Sequence, residues 1–326
     1  MRVLVTGAAG FVGHHLCEHI LRATPWHVVA LDRTDEAGDW GRIDHIPGEL
    51  ARGRLQLVHR DLRAEIPERY EYGEPFDHIL HLAAASHVDR SVKDPLGFLE
   101  DNVLGTAHLL EWVRRGHLRH GGKFLYFSTD EVFGNADLGQ EPFDPWARFA
   151  PNNPYAASKA AAECLTTAWS NTYGLPILVT HASNIYGSRQ DPEKFIPMAI
   201  DKISRGQEIL IHADKTRSVS SSRFYLHVDD VCDAVLFLLS RGACLGAPLE
   251  GKYNITGAEE ASNLAVAQTI ADLLGKPLRY RMVDHVEGRP RHDMRYAIDG
   301  SKLRELGWSP KITLAEGLRR VVNDAR

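Results

Sequence analysis

Arg2-Val-Leu-Val-Thr6 runs into Gly7-Ala-Ala-Gly10-Phe-Val-Gly13, and Val12 to Ala23 continues as a helical stretch that ends near Pro25. The first five residues are short, apolar and rich in β-branched side chains, which predicts a buried strand. They lack the long apolar region and cleavage site of a signal peptide. A glycine turn between a strand and a helix lets the backbone approach a pyrophosphate, and the helix N-terminus adds partial positive charge. The spacing is Gly-x-x-Gly-x-x-Gly, so the turn gains its meaning from the chain downstream of it.

The downstream chain alternates. Strands are expected at His27 to Leu31, Leu55 to His59, His78 to Leu82, Lys123 to Ser128 and Ile177 to Thr180, with helices at Leu96 to Arg115 and Tyr155 to Tyr173. That rhythm predicts an α/β chain with a doubly wound parallel sheet of the Rossmann type, with ligands at the carboxyl ends of its strands. After Asn184 the rhythm changes. A mixed helix around Pro192 and Pro197, a strand at Glu208 to His212, a polar loop at Asp214 to Ser222 and a helix at Leu264 to Leu274 suggest a smaller, partly interleaved lobe. A short strand at Tyr253 to Thr256 and a tail helix from Leu314 to Asn323 fall in the same half. The expected division is 1–183 for dinucleotide binding and 184–326 for substrate, with the helix 228–241 returning to the first domain.

The 326 residues are 44% hydrophobic, with a formal charge of −5 and no basic cluster, which argues against nucleic acid as a partner. No apolar run reaches the length of a membrane span. Cys17, Cys164, Cys232 and Cys244 form no Cys-x-x-Cys pattern and read as reduced thiols of a cytoplasmic protein. His15 and His19 share a helix face but lack further ligands nearby, so no metal site is expected.

Asp32 ends the second strand, 19 residues after Gly13. A carboxylate there accepts hydrogen bonds from ribose hydroxyls and repels a 2′-phosphate, which predicts NAD over NADP, although the neighbouring Arg33 could pair with a phosphate. Asp61 is placed to meet the adenine amino group, and Leu82-Ala83-Ala84 present small side chains where the chain passes the cofactor. Phe11, Val12, Leu62 and Asn102 are counted with this site.

Asn153-Pro154 reads as a helix cap followed by proline at the first helical position. Tyr155 and Lys159 then share one face. Such a pair suits hydride transfer: the lysine holds the nicotinamide ribose, and Tyr155 takes a hydroxyl proton. Thr129 can bond the same oxygen. Asp130 and Glu131 come directly after it, and they add an acid and a second base. Alcohol oxidation alone needs neither, whereas removing water from an oxidised sugar needs both.

Thr6-Gly-Ala-Ala-Gly-Phe-Val-Gly13, Ala84-Ala-Ser-His-Val-Asp-Arg-Ser91, Ser128-Thr-Asp-Glu-Val-Phe-Gly134, Pro154-Tyr-Ala-Ala-Ser-Lys-Ala160, Pro192-Glu-Lys-Phe-Ile-Pro197 and Arg289-Pro-Arg-His-Asp-Met-Arg-Tyr-Ala-Ile-Asp299 together resemble the extended short-chain dehydrogenase/reductase family, and within it the dTDP-glucose 4,6-dehydratases, over nearly the whole chain. The resemblance implies an NAD-dependent lyase of an NDP-hexose, by default dTDP-glucose. Tyr155 would be the base at O4, aided by Thr129 and Lys159. Asp130 would be the acid at the C6 hydroxyl, and Glu131 the base at C5. Ser86, Asn184, Lys194, Arg223, Asn254, Arg289 and His292 would hold the nucleotide sugar, and two long helices would pair in a homodimer as a four-helix bundle.

The chain departs from that pattern at Phe133, where the family has Tyr, at Ile185, over Ser188 to Asp191, in the longer Asp214 to Ser222 run, and at Arg291. These changes surround the nucleotide and sugar rather than the catalytic centre. They leave open a UDP-, CDP- or GDP-linked substrate, including one taken by 5,6-elimination to an unsaturated product. The other readings are a 4-epimerase that leaves Asp130 and Glu131 idle and a non-catalytic NAD sensor.

Overall fold

A computed structural model describes residues 1–33, 38–67, 74–137, 139–246, 250–284 and 293–325. Its strands are β1 (Arg2–Thr6), β2 (His27–Asp32), β3 (Leu55–His59), β4 (Phe76–His81), β5 (Leu118–Thr129), β6 (Ile177–Ala182), β7 (Asn184–Tyr186), β8 (Ile209–Ala213), β9 (Ser222–His227), β10 (Lys252–Ile255), β11 (Glu260–Ser262), β12 (Tyr280–Asp284) and β13 (Arg295–Tyr296). Seven of them form one parallel sheet in the order β10-β6-β5-β4-β1-β2-β3. The order reverses between β1 and β4, which opens a crevice at the carboxyl ends.

One apolar core packs Phe11–Ala23 and Val228–Arg241 against one another and onto the sheet, through Leu16, Ile20, Val231, Val235 and Leu238. A second core covers the other face, with Leu109, Trp112 and Ala162 over Leu4, Phe124 and Val179. The helix Val228–Arg241 thus returns to the sheet from the C-terminal half. So does β10, which supplies the edge strand beyond β6. A third core gathers Ile196, Ile200, Ile209, Ile270 and Leu318 away from the sheet. Beside it, β7, β9, β11 and β13 pair with one another, and β8 pairs with β12.

Local chemistry explains the elements nearest the site. Asn153 Oδ1 accepts from Ala156 N at 2.8 Å, Pro154 opens the helix, and Gly174 closes it at φ 70°. The helical run Pro95–His117 contains a π-turn at Glu100–Leu104, and Asn102 sits in that turn. Strand β5 begins five residues before the expected Lys123, with a register shift against β4 between Leu118 and Lys123. Among the described residues no group of three or more His, Cys, Asp or Glu gathers to hold a metal, and no helix is long and apolar enough to cross a membrane.

Candidate active site

One cavity of about 890 Å³ runs along the carboxyl ends of the sheet. Gly7, Gly10, Phe11, Val12, Gly13, Asp32, Arg33, Asp61, Leu62, Leu82, Ala83 and Ala84 line it, together with Ser86, Thr129, Asp130, Glu131, Tyr155, Lys159, Asn184, Lys194 and Arg223. Arg289 and His292 lie outside the described residues.

The glycine turn is closely built. Gly7 holds φ 71°, and a Cβ there would stand 2.6 Å from Ala83 N. A Cβ on Gly13 would stand 2.0 Å from the Gly7 carbonyl oxygen. Asp32 Oδ2 accepts from Ala9 N at 2.7 Å, which ties the second strand to this turn. Arg33 directs its fork at Asp101, at 2.6 and 2.7 Å. Asp61 accepts from the Arg63 guanidinium at 2.6 and 2.9 Å.

Two expected contact residues stand one layer behind the wall. Asn102 Oδ1 accepts from Ala85 N at 2.8 Å, and its Nδ2 donates to Ala85 O and Ser158 Oγ. It fixes the chain after β4 to the Tyr155 helix. Asn254 donates to the carbonyls of Phe143 and Asp299 and faces His181. Both amides are buried, so they satisfy backbone groups. Arg223, expected to help hold the nucleotide sugar, lines the cavity with its guanidinium engaged by the protein. Its guanidinium donates to the carbonyls of Ser222, Met294 and Asp293 at 2.6 to 2.8 Å and lies 4.3 Å over the Tyr296 ring. Phe133 is buried against Phe143, Phe149 and His181 and is absent from the cavity wall.

The catalytic candidates meet where β5 ends. Thr129 Oγ1 accepts from Glu131 N and donates to Asp130 Oδ1, both at 3.3 Å. Asp130 is 4% exposed, and its Oδ2 has no partner. Burial, reinforced by the Glu131 charge, pushes it up to about 8, so it is a protonated acid at neutral pH. Burial also raises Glu131, whose Oε2 accepts from Asn153 Nδ2 at 3.1 Å. Burial and the charge of Glu131 hold Tyr155 above the usual tyrosine range, with Thr129 beside it working the other way. Lys159 Nζ donates to Phe127 O at 2.7 Å, and burial pulls it down to about 7.

The structure adds groups the motifs did not flag. The Tyr296 hydroxyl lies 2.7 Å from Asp293 Oδ2 and 3.3 Å from Glu131 Oε2. It reaches the cavity because β13 pairs with β9. Asn184 Oδ1 and Gln190 Oε1, both on residues of the wall, are buried acceptors without a protein partner. Such orphans mark where a ligand's donors fit.

A glycine-rich dinucleotide turn and a Tyr-Lys helix facing an acid and a base define a short-chain dehydrogenase/reductase with nucleotide-sugar dehydratase machinery. A family model described as GDP-mannose 4,6 dehydratase matches residues 4–321, and the chain belongs to that family. It is 38% identical to a dTDP-glucose 4,6-dehydratase of Salmonella typhimurium, over 99% of this chain and 92% of that protein. A Xanthomonas campestris protein of the same name is 39% identical, over 98% and 92%. The solved dTDP-glucose 4,6-dehydratase of Streptomyces venezuelae, with NAD bound, superposes with a TM-score of 0.87 at 35% identity, covering 99% of this chain and 96% of its own. A Thermus thermophilus UDP-glucose 4-epimerase in complex with NAD gives 0.84 at 30% identity, covering 99% and 98%.

Proposed function

We propose that this chain is an NAD-dependent NDP-hexose 4,6-dehydratase that converts dTDP-glucose to dTDP-4-keto-6-deoxyglucose. The observation that carries the reading is Asp130, a buried acid with an unpartnered oxygen, beside Glu131 and Tyr155 in one cavity. An epimerase has no use for an acid held protonated there.

The cradle fits NAD. Glycines at 7 and 13 leave room that a Cβ would fill with clashes, and Asp32 disfavours a 2′-phosphate. When bound, NAD takes a hydride from sugar C4 and returns it to C6, so the reaction has no net redox change. Tyr155, supported by Thr129, takes the C4 hydroxyl proton. Because burial and the charge of Glu131 hold Tyr155 protonated, its basic form depends on positive charge from Lys159 and the oxidised ring. Glu131 takes the C5 proton, which the C4 ketone has made acidic. Asp130 protonates the C6 hydroxyl, which leaves as water, and the proton on Glu131 returns to C5 as C6 is reduced. Asn184, Gln190 and Lys194 offer polar contacts to the nucleotide sugar.

The lobe of 184–326 supplies the substrate wall, with 228–241 and β10 assigned to the NAD-binding domain with 1–183. We read the enzyme as a cytoplasmic homodimer. Its four thiols are free. Leu96, Leu99 and Leu104 are exposed on one helical run, and Ala157, Ala161, Cys164 and Ala168 on the helix packed against it. Both stripes suit a four-helix contact, and sedimentation as a monomer at micromolar concentration would overturn it.

The function is tested by incubating purified protein with dTDP-, UDP-, CDP- and GDP-hexoses, without added NADH, and measuring product mass. Loss of one water from dTDP-glucose is expected. Unchanged mass with inverted sugar configuration would make the chain an epimerase.

A further inference from the structure

Two adjacent amides at the start of the Tyr155 helix hold two carboxylates. Asn153 Nδ2 donates to Glu131 Oε2 at 3.1 Å, and Asn152 Nδ2 donates to Asp293 Oδ1 at 2.7 Å. The Tyr296 hydroxyl stands between the pair, 2.7 Å from Asp293 Oδ2 and 3.3 Å from Glu131 Oε2. Tyr296 lines the cavity, whereas Asp293 is 5% exposed and absent from its wall. The frame is fixed from several sides. Arg223 donates to Asp293 O at 2.8 Å and covers the Tyr296 ring at 4.3 Å. Asn135 Oδ1 accepts from Met294 N and Arg295 N at 2.9 and 3.1 Å. A phenol carries one hydrogen, so what Tyr296 gives to one carboxylate it withholds from the other. The distances favour Asp293: 2.7 Å is a close charge-assisted contact, and 3.3 Å is a long one.

We propose that Asp293 is a positioning residue for proton removal at C5: by drawing the Tyr296 hydrogen to itself, it keeps Glu131 ready to accept a proton from carbon. The inference rests on the role of Glu131 in the proposed dehydratase reaction. A carboxylate that accepts a full hydrogen bond is a weaker base than one that accepts a partial bond. Proton transfer from carbon goes faster to the stronger base. In that step the C5–H electron pair becomes the C5–C6 double bond as water leaves, and the proton rests on Glu131 until C6 is reduced. Other groups also face Glu131. Burial raises it, the Asn153 hydrogen bond, Lys194 and Arg223 work the other way, and Asp293 adds to burial. Asp130, on the same turn, and Tyr155, on the helix that Asn153 caps, are held protonated. Among the described residues, Tyr296 is the group that bonds both carboxylates.

The test is kcat against pH, with hydrogen or deuterium at C5 of the hexose. In Asp293→Asn the Asn152 donor selects the oxygen of the new amide, so the amide nitrogen faces Tyr296 and the phenol hydrogen passes to Glu131. The acid limb, where Glu131 gains its proton, then moves about one pH unit lower. On the plateau the weaker base slows turnover about three- to tenfold, with a larger deuterium effect. Loss of the Asp293 charge alone also lowers the limb, so the same substitution is made in Tyr296→Phe. No hydrogen can be handed over there, and Asp293→Asn moves the limb less than half as far. Asn152→Ala strengthens the claim of Asp293 on the Tyr296 hydrogen and moves the limb upward. A folded Asp293→Asn protein with an unmoved limb overturns the proposal, as does an equal displacement in both backgrounds. If Asp293→Asn does not fold, an unmoved limb in Asn152→Ala overturns it instead. A wild-type protein that removes no water from any hexose defeats the dehydratase reading separately.

Discussion

Arg33 and Asp101 meet in a two-toothed ion pair, Nη1 to Oδ1 at 2.6 Å and Nη2 to Oδ2 at 2.7 Å. A guanidinium next to Asp32 is the group that could welcome a 2′-phosphate, but its fork is turned to a carboxylate instead. Asp61 Oδ1 stands 3.6 Å from the same guanidinium. Asp101→Ala removes the main anchor, and the NADP-to-NAD affinity ratio is expected to rise about tenfold, the worth of one charge-assisted bond. Fluorescence titration with both dinucleotides measures it. An unchanged ratio would assign the choice to Asp32 alone.

Asp130→Asn keeps the shape of the acid and removes its proton. Turnover is expected to fall by roughly 10²- to 10⁴-fold. Stability should move the other way. The carboxyl ionises near 3.8 in an unfolded chain and at about 8 here. A raised folded value costs nothing below the unfolded one, and the cost grows as pH climbs through that window. At pH 7 the substitution therefore relieves on the order of 2–4 kcal/mol. Calorimetric melting should show the variant a few degrees more stable at neutral pH, with the gain vanishing towards pH ~4. Wild-type turnover should decline above about pH 8 as Asp130 ionises. A variant that melts like the wild type at both values would mean that Asp130 is already ionised.

The features legible in the sequence were local ones. The strand-turn-helix at Arg2 to Ala23, the Asn153-Pro154 cap and the Tyr155-Lys159 spacing are each set within a few residues, so pattern alone placed them. Side chains whose work depends on distant partners were not legible. Asn102 and Asn254 are polar residues near the site in sequence terms, and only tertiary packing shows that they satisfy backbone groups behind the wall. The carbonyls that occupy Arg223 include two from the chain around Met294, brought alongside by the β9–β13 pairing. The same pairing delivers Tyr296 to Glu131, 165 residues away. Strand β10 read as part of the second lobe because nothing local says which sheet edge a four-residue strand joins.

The ring of Phe133 lies in an apolar cluster with Val132, Ala160 and Ile298. It is 1% exposed. A hydroxyl added there has to find a partner or stay buried without one, at a cost of about 1–3 kcal/mol. Phe133→Tyr is expected to lower the melting temperature by a few degrees and to change kcat less than about threefold, because the cavity wall is untouched. Raised turnover in this variant would place the hydroxyl in the reaction and the ring nearer the substrate than it lies here.

Tyr296 shares its hydroxyl between Asp293 at 2.7 Å and Glu131 at 3.3 Å, under the Arg223 guanidinium. Tyr296→Phe leaves Glu131 with Asn153 as its remaining side-chain donor among the described residues. Loss of a donor to a carboxylate favours its protonated form, and Glu131 is already raised by burial. The reaction needs Glu131 ionised, so activity on the acid side should disappear at a higher pH than in the wild type. The expected displacement is about half to one pH unit, with turnover at neutral pH several-fold lower and recovering as pH rises. Profiles of kcat against pH for the two proteins decide it. A uniform fall in kcat, with the acid limb in place, would show the hydroxyl acting on the sugar itself. An unchanged profile would show that Asp293 holds it away from Glu131.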